Sequence, residues 1–251
     1  MKQLLCGLFA LATAVVPASP ARADDAQARA VIEKAVKAHG GQEVLSKLPG
    51  ISLKFKGKFH GMGDGLDMSG DVIAFGPDRQ KIDLELKIGN ETIRIVNVLA
   101  GDKGWTRVGD MVQELTAGQL AEAREQAHSG WVTTLEPLLR EKSFRFALIG
   151  EMKIDKQTTI GVKVSRKGHR DVDLYFDKET GLLAKSETTI KEEGSDQEVT
   201  EESFFSEYKE FQGQKQATRF VIKRGGKLFL EGEATGYELS EKLSDDVFAK
   251  P

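Results

Sequence analysis

Four histidines, one cysteine and a large number of carboxylates are the side chains of this sequence with chemistry to offer. His39, His60, His128 and His169 stand far apart, and no H-E-x-x-H run places two of them on one helix face. Each reads as a surface or capping residue. His39 falls at a helix end, where a cation is favoured, His128 lies on a long helix, and His60 and His169 fall at strand ends. There is no G-x-S-x-G nucleophile elbow and no Walker sequence. Gly61-Met62-Gly63-Asp64-Gly65 has the glycines of a phosphate cradle, but a strand pattern follows it instead of a helix N-terminus, so it reads as a hairpin turn. Asp64, Asp67 and Asp71 miss the calcium-loop spacing. Glu201-Glu202 and Asp245-Asp246 are adjacent, and neighbours on a strand face opposite ways. No acid–base pair is forced together. The sequence therefore predicts no catalytic residue, no metal site and no cofactor. A hydrolase whose residues converge from distant strands is the third reading, after two non-catalytic ones.

What the residues do offer is apolar surface. If a sheet wraps the long helix, the gap between them is lined by Leu53, Phe55, Phe59, Leu84, Leu86, Ile93, Ile95, Trp131 and Leu135. Such a cavity suits an acyl chain, with the helix bearing Trp131 as lid or inner wall. The opposing reading is that these side chains fill a dry core. Trp105 is placed near the same helix.

The elements that must position these residues change period along the chain. Asp24 or Asp25 can cap a first helix, in which Ala28, Val31, Ile32, Ala35 and Val36 recur at helical spacing. Gly40 suits its C-terminal cap. A short second helix, 42–48, stops at Pro49-Gly50. From Ile51 the period is two: Ile51, Leu53, Phe55, Gly57 and Phe59 alternate with Ser52, Lys54, Lys56 and Lys58. Leu66–Phe75, Lys81–Ile88, Glu91–Leu99, Gly104–Val108 and Met111–Leu115 continue as strands. Thr116-Ala117-Gly118-Gln119 is a capping box that opens the long helix, and Pro137 should kink or restart that helix. The second half reads almost entirely as strand. It includes Phe144–Ile149 and Lys153–Asp155 as separate strands, a five-residue loop at Asp177–Gly181 and a two-residue turn at Gly225-Gly226. Glu192–Glu202 carries six acidic residues and reads as a solvated hairpin. Short connections imply antiparallel order. The expected fold is mainly β (α+β): a large antiparallel sheet of about 11 strands curled around two helical blocks.

The N-terminus has a different character. Met1-Lys2-Gln3, an apolar run from Leu4 to Val16 and the Ala21-Arg22-Ala23 end make a secretory signal peptide over residues 1–23. A single domain over 24–251 would follow. Removing the leader takes the basic count from 36 to 34 against 39 acidic residues and the formal charge from −3 to −5. That balance argues against a nucleic-acid partner. The only cysteine, Cys6, leaves with the leader, which excludes disulfide scaffolds and thiolate metal sites. No later window is apolar enough to span a membrane as a helix.

Several blocks resemble the LolA/LolB-like superfamily of outer-membrane lipoprotein-sorting proteins, and specifically a secreted bacterial subgroup of it. They are Ala38-His39-Gly40-Gly41 with Leu45 and Leu48, Thr134-Leu135-Glu136-Pro137-Leu138-Leu139 with Phe144, and Gly168 to Leu183 with its Phe-Asp-x-x-Thr-Gly-Leu-Leu hairpin. Tyr208-Lys209-Glu210-Phe211 and Asp246 to Pro251 complete the set. The resemblance implies that this sheet is a half-open antiparallel β-barrel of about 11 strands wrapped around two helical blocks, and that it holds acyl chains of a lipid or lipoprotein. The first functional expectation is thus a periplasmic or secreted, non-catalytic binding protein for acyl chains or a lipidated partner. The alternative is an envelope protein-interaction or regulatory module with a filled core.

Overall fold

The computed structural model describes residues 20–63, 65–192 and 197–251. The expected leader up to residue 19, with Cys6, lies outside the described residues, as do Asp64 and the tip of the acidic hairpin. The first helix, α1 (Pro20–Ala38), begins earlier than its expected cap, so Asp24 and Asp25 stand inside it. The alanines at 21, 23, 26 and 28 are strong helix formers, and they extend the helix upstream. A short helix, α2 (Gln42–Lys47), follows.

Among the described residues the remaining chain builds one antiparallel sheet of 13 strands. Strands β1 (Gly50–Phe59), β2 (Leu66–Phe75), β3 (Arg79–Ile88), β4 (Glu91–Ala100), β5 (Lys103–Val108) and β6 (Met111–Glu114) form one meander. A second meander contains β7 (Phe144–Ile154), β8 (Gln157–Arg166), β9 (Val172–Asp177), β10 (Leu183–Lys191), β11 (Glu198–Phe211), β12 (Gln214–Arg224) and β13 (Lys227–Ser240). The two join through β1 and β13, which pair from Gly50↔Ser240 to Phe59↔Leu230. Strands β6 and β7 are the two ends of the sheet order, so the sheet is open and its strand count exceeds the expected 11. The segments 144–149 and 153–155 are one strand: a register shift between Leu148 and Gly150, with Gly150 at φ 116°, lets pairing with β8 resume.

Between the meanders lie α3 (Ala117–Thr133) and α4 (Glu136–Arg140). The capping box forms as expected: Thr116 N donates to Gln119 Oε1 at 3.0 Å, and Gln119 N donates to Thr116 Oγ1 at 3.4 Å. Proline restarts the helix: α3 stops at Thr133, Leu135 takes φ 62°, and Pro137 occupies the first turn of α4. Leu135 holds this left-handed conformation while completely buried, so packing maintains it.

The apolar clusters divide the sheet. The largest packs Ile32, Ala35 and Val36 of α1 and Trp131, Val132, Leu135 and Leu138 of the α3–α4 segment on Phe144, Phe146, Val162, Val164, Val172, Leu174 and Phe176 of β7–β9. On the other face of the first meander, the C-terminal segment covers Ile73, Phe75, Val96, Val98 and Trp105 with Leu243, Val247 and Phe248. Trp105 pairs with Val98 in the register of β4 and β5, and it belongs to this outer layer, not to the helix side. Arg79 fixes that layer by lying 4.4 Å from the Phe75 ring centroid and pairing with Asp245 at 2.9 Å.

Candidate functional site

Strand alternation brings one row of each strand in the first meander to the same face. Leu53 stands opposite Val72 and Phe55 opposite Gly70. Met68 stands opposite Leu86 and Gly70 opposite Leu84, and Leu86 and Leu84 face Ile93 and Ile95 in turn. Across the seam Phe59 stands opposite Leu230. Phe55, Met68 and Leu86 are buried, and Leu53, Phe59, Val72, Leu84, Ile95, Phe220 and Leu230 pack around them while only half-buried. Every member belongs to a strand, and no helical side chain is among them. Phe220 meets Phe55 edge-on at 5.6 Å and lies over Gly232, where a Cβ would collide with its ring.

Six of the nine residues expected from the sequence, Leu53, Phe55, Phe59, Leu84, Leu86 and Ile95, are thus brought together. Ile93 is on the same face opposite Leu86, outside the packed cluster. Trp131 and Leu135 belong instead to the helix core over β7–β9, 6 % and 0 % exposed. The sequence reading did not single out Met68, Val72, Phe220 and Leu230. The period-two run Met68, Gly70, Val72 carried the signal for β2, because it is in phase with Phe55 and Leu53 across the hairpin.

A second feature adjoins this face. Between α3 and the strands β10 and β11 is a cavity of about 140 Å³ lined by side chains that include Gln126, Ser129, Arg170, Ser186, Ser203 and Phe205. Its wall is continuous with the apolar face, since Ser203 pairs with Ile222 and Phe205 with Phe220 across β11 and β12. Helix α3 is tied down beside it. Glu122 pairs with Arg170 at 2.8 Å and accepts the Lys191 amide at 3.1 Å. Burial works against the Glu122 charge, but these donors outweigh it and hold its carboxyl below the usual range. Glu125 accepts His169 Nδ1 at 3.0 Å and the Arg170 amide at 2.8 Å.

The histidines are placed for structure. His39 is buried: its Nδ1 donates to Ala35 O at 2.8 Å, and its Nε2 accepts the Leu183 amide at 3.4 Å. Accepting an N–H requires the neutral ring, so His39 is not the helix-end cation expected of it; burial also lowers its pKa. The adjacent Gly40 lets the chain pass against β12's turn, since a Cβ there would collide with the Gly213 carbonyl oxygen. His128 is 2 % exposed with Nε2 lacking a hydrogen-bond partner, and burial, then His169 and Arg166, lower its pKa to about 4. Glu125–His169 has the form of a carboxylate orienting an imidazole. Among the described residues, however, no hydroxyl hydrogen-bonds to either ring. No three potential metal ligands converge among the described residues either.

No protein-family model matches the sequence, and no curated protein matches it. Solved structures do. A DUF1329 family protein from Desulfovibrio piger superposes with a TM-score of 0.57 at 14% identity, over 88% of this chain and 96% of that one. A LolA superfamily protein from Nitrosomonas europaea gives 0.53 at 13% identity, covering 89% and 97%. A putative outer membrane lipoprotein-sorting protein domain from Vibrio parahaemolyticus gives 0.52 at 11%, covering 90% and 97%. The fold is LolA-like. No helix among the described residues is long and apolar enough to cross a membrane.

Proposed function

We propose that this protein is a non-catalytic carrier that holds acyl chains of a lipid or lipidated partner against the open apolar face of β1–β4, β12 and β13. The observation that carries this reading is the cluster around Phe55, Met68 and Leu86: it is made of strand residues alone, and its surrounding side chains stay half-buried. An acyl chain laid there would complete their burial, worth about 25 cal/mol for each Å² of apolar surface removed from water, before the cost of ordering the chain. The LolA-like fold and the similarity to the lipoprotein-sorting protein domain from Vibrio parahaemolyticus support the same reading.

The carrier would work outside the cytoplasm, exported by the leader at residues 1–23, in the periplasm or beyond. An envelope interaction module with a filled core is the competing reading. The tightly packed helix core around Trp131 is what that alternative expects, whereas the strand face around Phe55, whose surrounding side chains stay half-buried, favours a carrier. Native mass spectrometry of protein purified from its own envelope, followed by lipid extraction, tests the proposal. Co-purified lipid and saturable binding of a fluorescent fatty acid are expected. Protein that carries no lipid and binds no probe would overturn it.

A further inference from the structure

The cavity between α3 and β10–β11 is polar, and its polarity has a particular form: each formal charge on its wall already has a partner. The Arg170 guanidinium is held by Glu122 at 2.8 Å and the Thr189 carbonyl at 3.1 Å. Glu125 is occupied by His169 and the Arg170 amide, and Glu201 by Arg224 at 2.8 Å. An anionic headgroup would find no unpaired cation here, and desolvating it without one is costly.

The hydroxyls differ. Ser186 is 7 % exposed and lines the cavity, and its hydroxyl has no hydrogen-bond partner among the described residues. Ser203 stands directly opposite it in the register of β10 and β11, and Ser129 lines the same space from α3; neither hydroxyl has a partner among the described residues. A hydroxyl both donates and accepts, so three of them suit a ligand group that does the same. The volume of about 140 Å³ holds roughly five water molecules at about 30 Å³ each, the size of a small polyol. The apolar face begins one strand away, where Ser203 meets Ile222 and Phe205 meets Phe220.

We infer that this cavity is the headgroup subsite of the carrier and that it selects an uncharged, hydroxyl-bearing headgroup, such as a glycerol or sugar ester of a fatty acid, over an anionic one. The inference rests on the carrier reading. It assigns the acyl chain to the face around Phe55 and the headgroup to Ser129, Ser186 and Ser203.

Displacement of a fluorescent acyl probe by ligands with one palmitoyl chain tests it: monopalmitoylglycerol, methyl palmitate and palmitoyl lysophosphatidic acid. Monopalmitoylglycerol should bind about tenfold tighter than methyl palmitate, as two added hydrogen bonds would give, and tighter than the lysophosphatidic acid. The double variant Ser186→Ala/Ser203→Ala should lose that preference and keep its affinity for methyl palmitate, which also reports that it is folded. Tighter binding of the lysophosphatidic acid, or a glycerol preference that survives the double variant, overturns the headgroup assignment and leaves the carrier reading standing. Failure of the chain to bind the probe at all overturns the carrier reading itself.

Discussion

The imidazole of His128 stacks on that of His169, with ring centroids 3.8 Å apart and planes within 5°. The contact joins the middle of α3 to the turn between β8 and β9, and burial there disfavours a charge on His128. A proton on His128 would be buried, close to His169 and Arg166, with no acceptor at Nε2.

The pH dependence follows in sign. Unfolded His128 takes up a proton near its ordinary value of 6.5, whereas the folded ring resists until about 4. Above 6.5 both states are neutral and the term vanishes. Between 6.5 and about 4 the unfolded state binds the extra proton, so stability falls as pH falls, by up to about 1.4 kcal/mol per pH unit for one group. Other groups titrate in the same window: His39 adds to the loss, and the raised carboxyls of Glu136 and Asp173 oppose it. The check is therefore a difference. Urea unfolding of the wild type and of His128→Gln from pH 7 to 4 should show a shallower acid decline in the variant. Parallel curves would show that His128 carries no such term.

Arg170 ties α3 to the second meander through Glu122, and both side chains are mostly buried, at 23 % and 15 % exposure. Arg170→Ala strands the Glu122 carboxylate with only neutral donors, the Lys191 amide and the Gln126 side chain. The expected cost is about 2 kcal/mol, the scale for a partly buried charged partner left unmatched. Amide exchange should quicken in α3 and stay unchanged in β1–β3. Uniform acceleration over the whole chain would contradict a local tie.

Lys185 is a buried cation on the strand face opposite the helices. Its side chain is 6 % exposed, with Glu187 at 2.8 Å, Glu202 at 2.6 Å and the Tyr175 ring 5.3 Å away. Burial works against its charge, yet the two carboxylates outweigh burial and keep its pKa above the ordinary lysine value. Lys185→Met should destabilise the protein by about 3 kcal/mol, because two acceptors lose their cation. The triple variant Lys185→Met/Glu187→Gln/Glu202→Gln should recover most of that loss in chemical unfolding. A triple variant no more stable than the single one would place the cost in packing instead.

Much of this architecture could be read from local pattern. Alternation marks β1 from Ile51 to Phe59, glycine pairs mark the hairpins at Gly225-Gly226, and the Thr116–Gln119 capping box and Pro137 mark where the helices start and restart. Local pattern shows which side of an element is apolar, but not which distant element covers it. Trp131 and Leu135 fall on a helical stripe, and nothing in that stripe says that it packs on β7–β9 instead of on β1–β4. Trp105 alternates in phase with Arg107, so it faces outward, and only the C-terminal segment explains why an aromatic can stand there. The hydroxyl-lined cavity was not legible, since serines on strands look like solvent-facing residues until α3 is laid beside them.

The separation between helix core and open face gives a test that distinguishes packing from binding. Trp131 is buried among α1, α4 and β7–β9, so Trp131→Ala leaves a large void and should cost about 3–5 kcal/mol of stability. Measured where the variant is still folded, its affinity for a fluorescent fatty acid should change by no more than about twofold. Leu84 lies on the open face and is only half-buried. Leu84→Ser should cost about 1 kcal/mol of stability but weaken the probe roughly fivefold, since ligand completes the burial of a half-buried leucine and that remaining half is worth about 1 kcal/mol. The two variants thus move stability and binding in opposite proportion. If Trp131→Ala abolishes probe binding in folded protein while Leu84→Ser leaves it intact, the ligand lies under α3 and not on the sheet face of β1–β4.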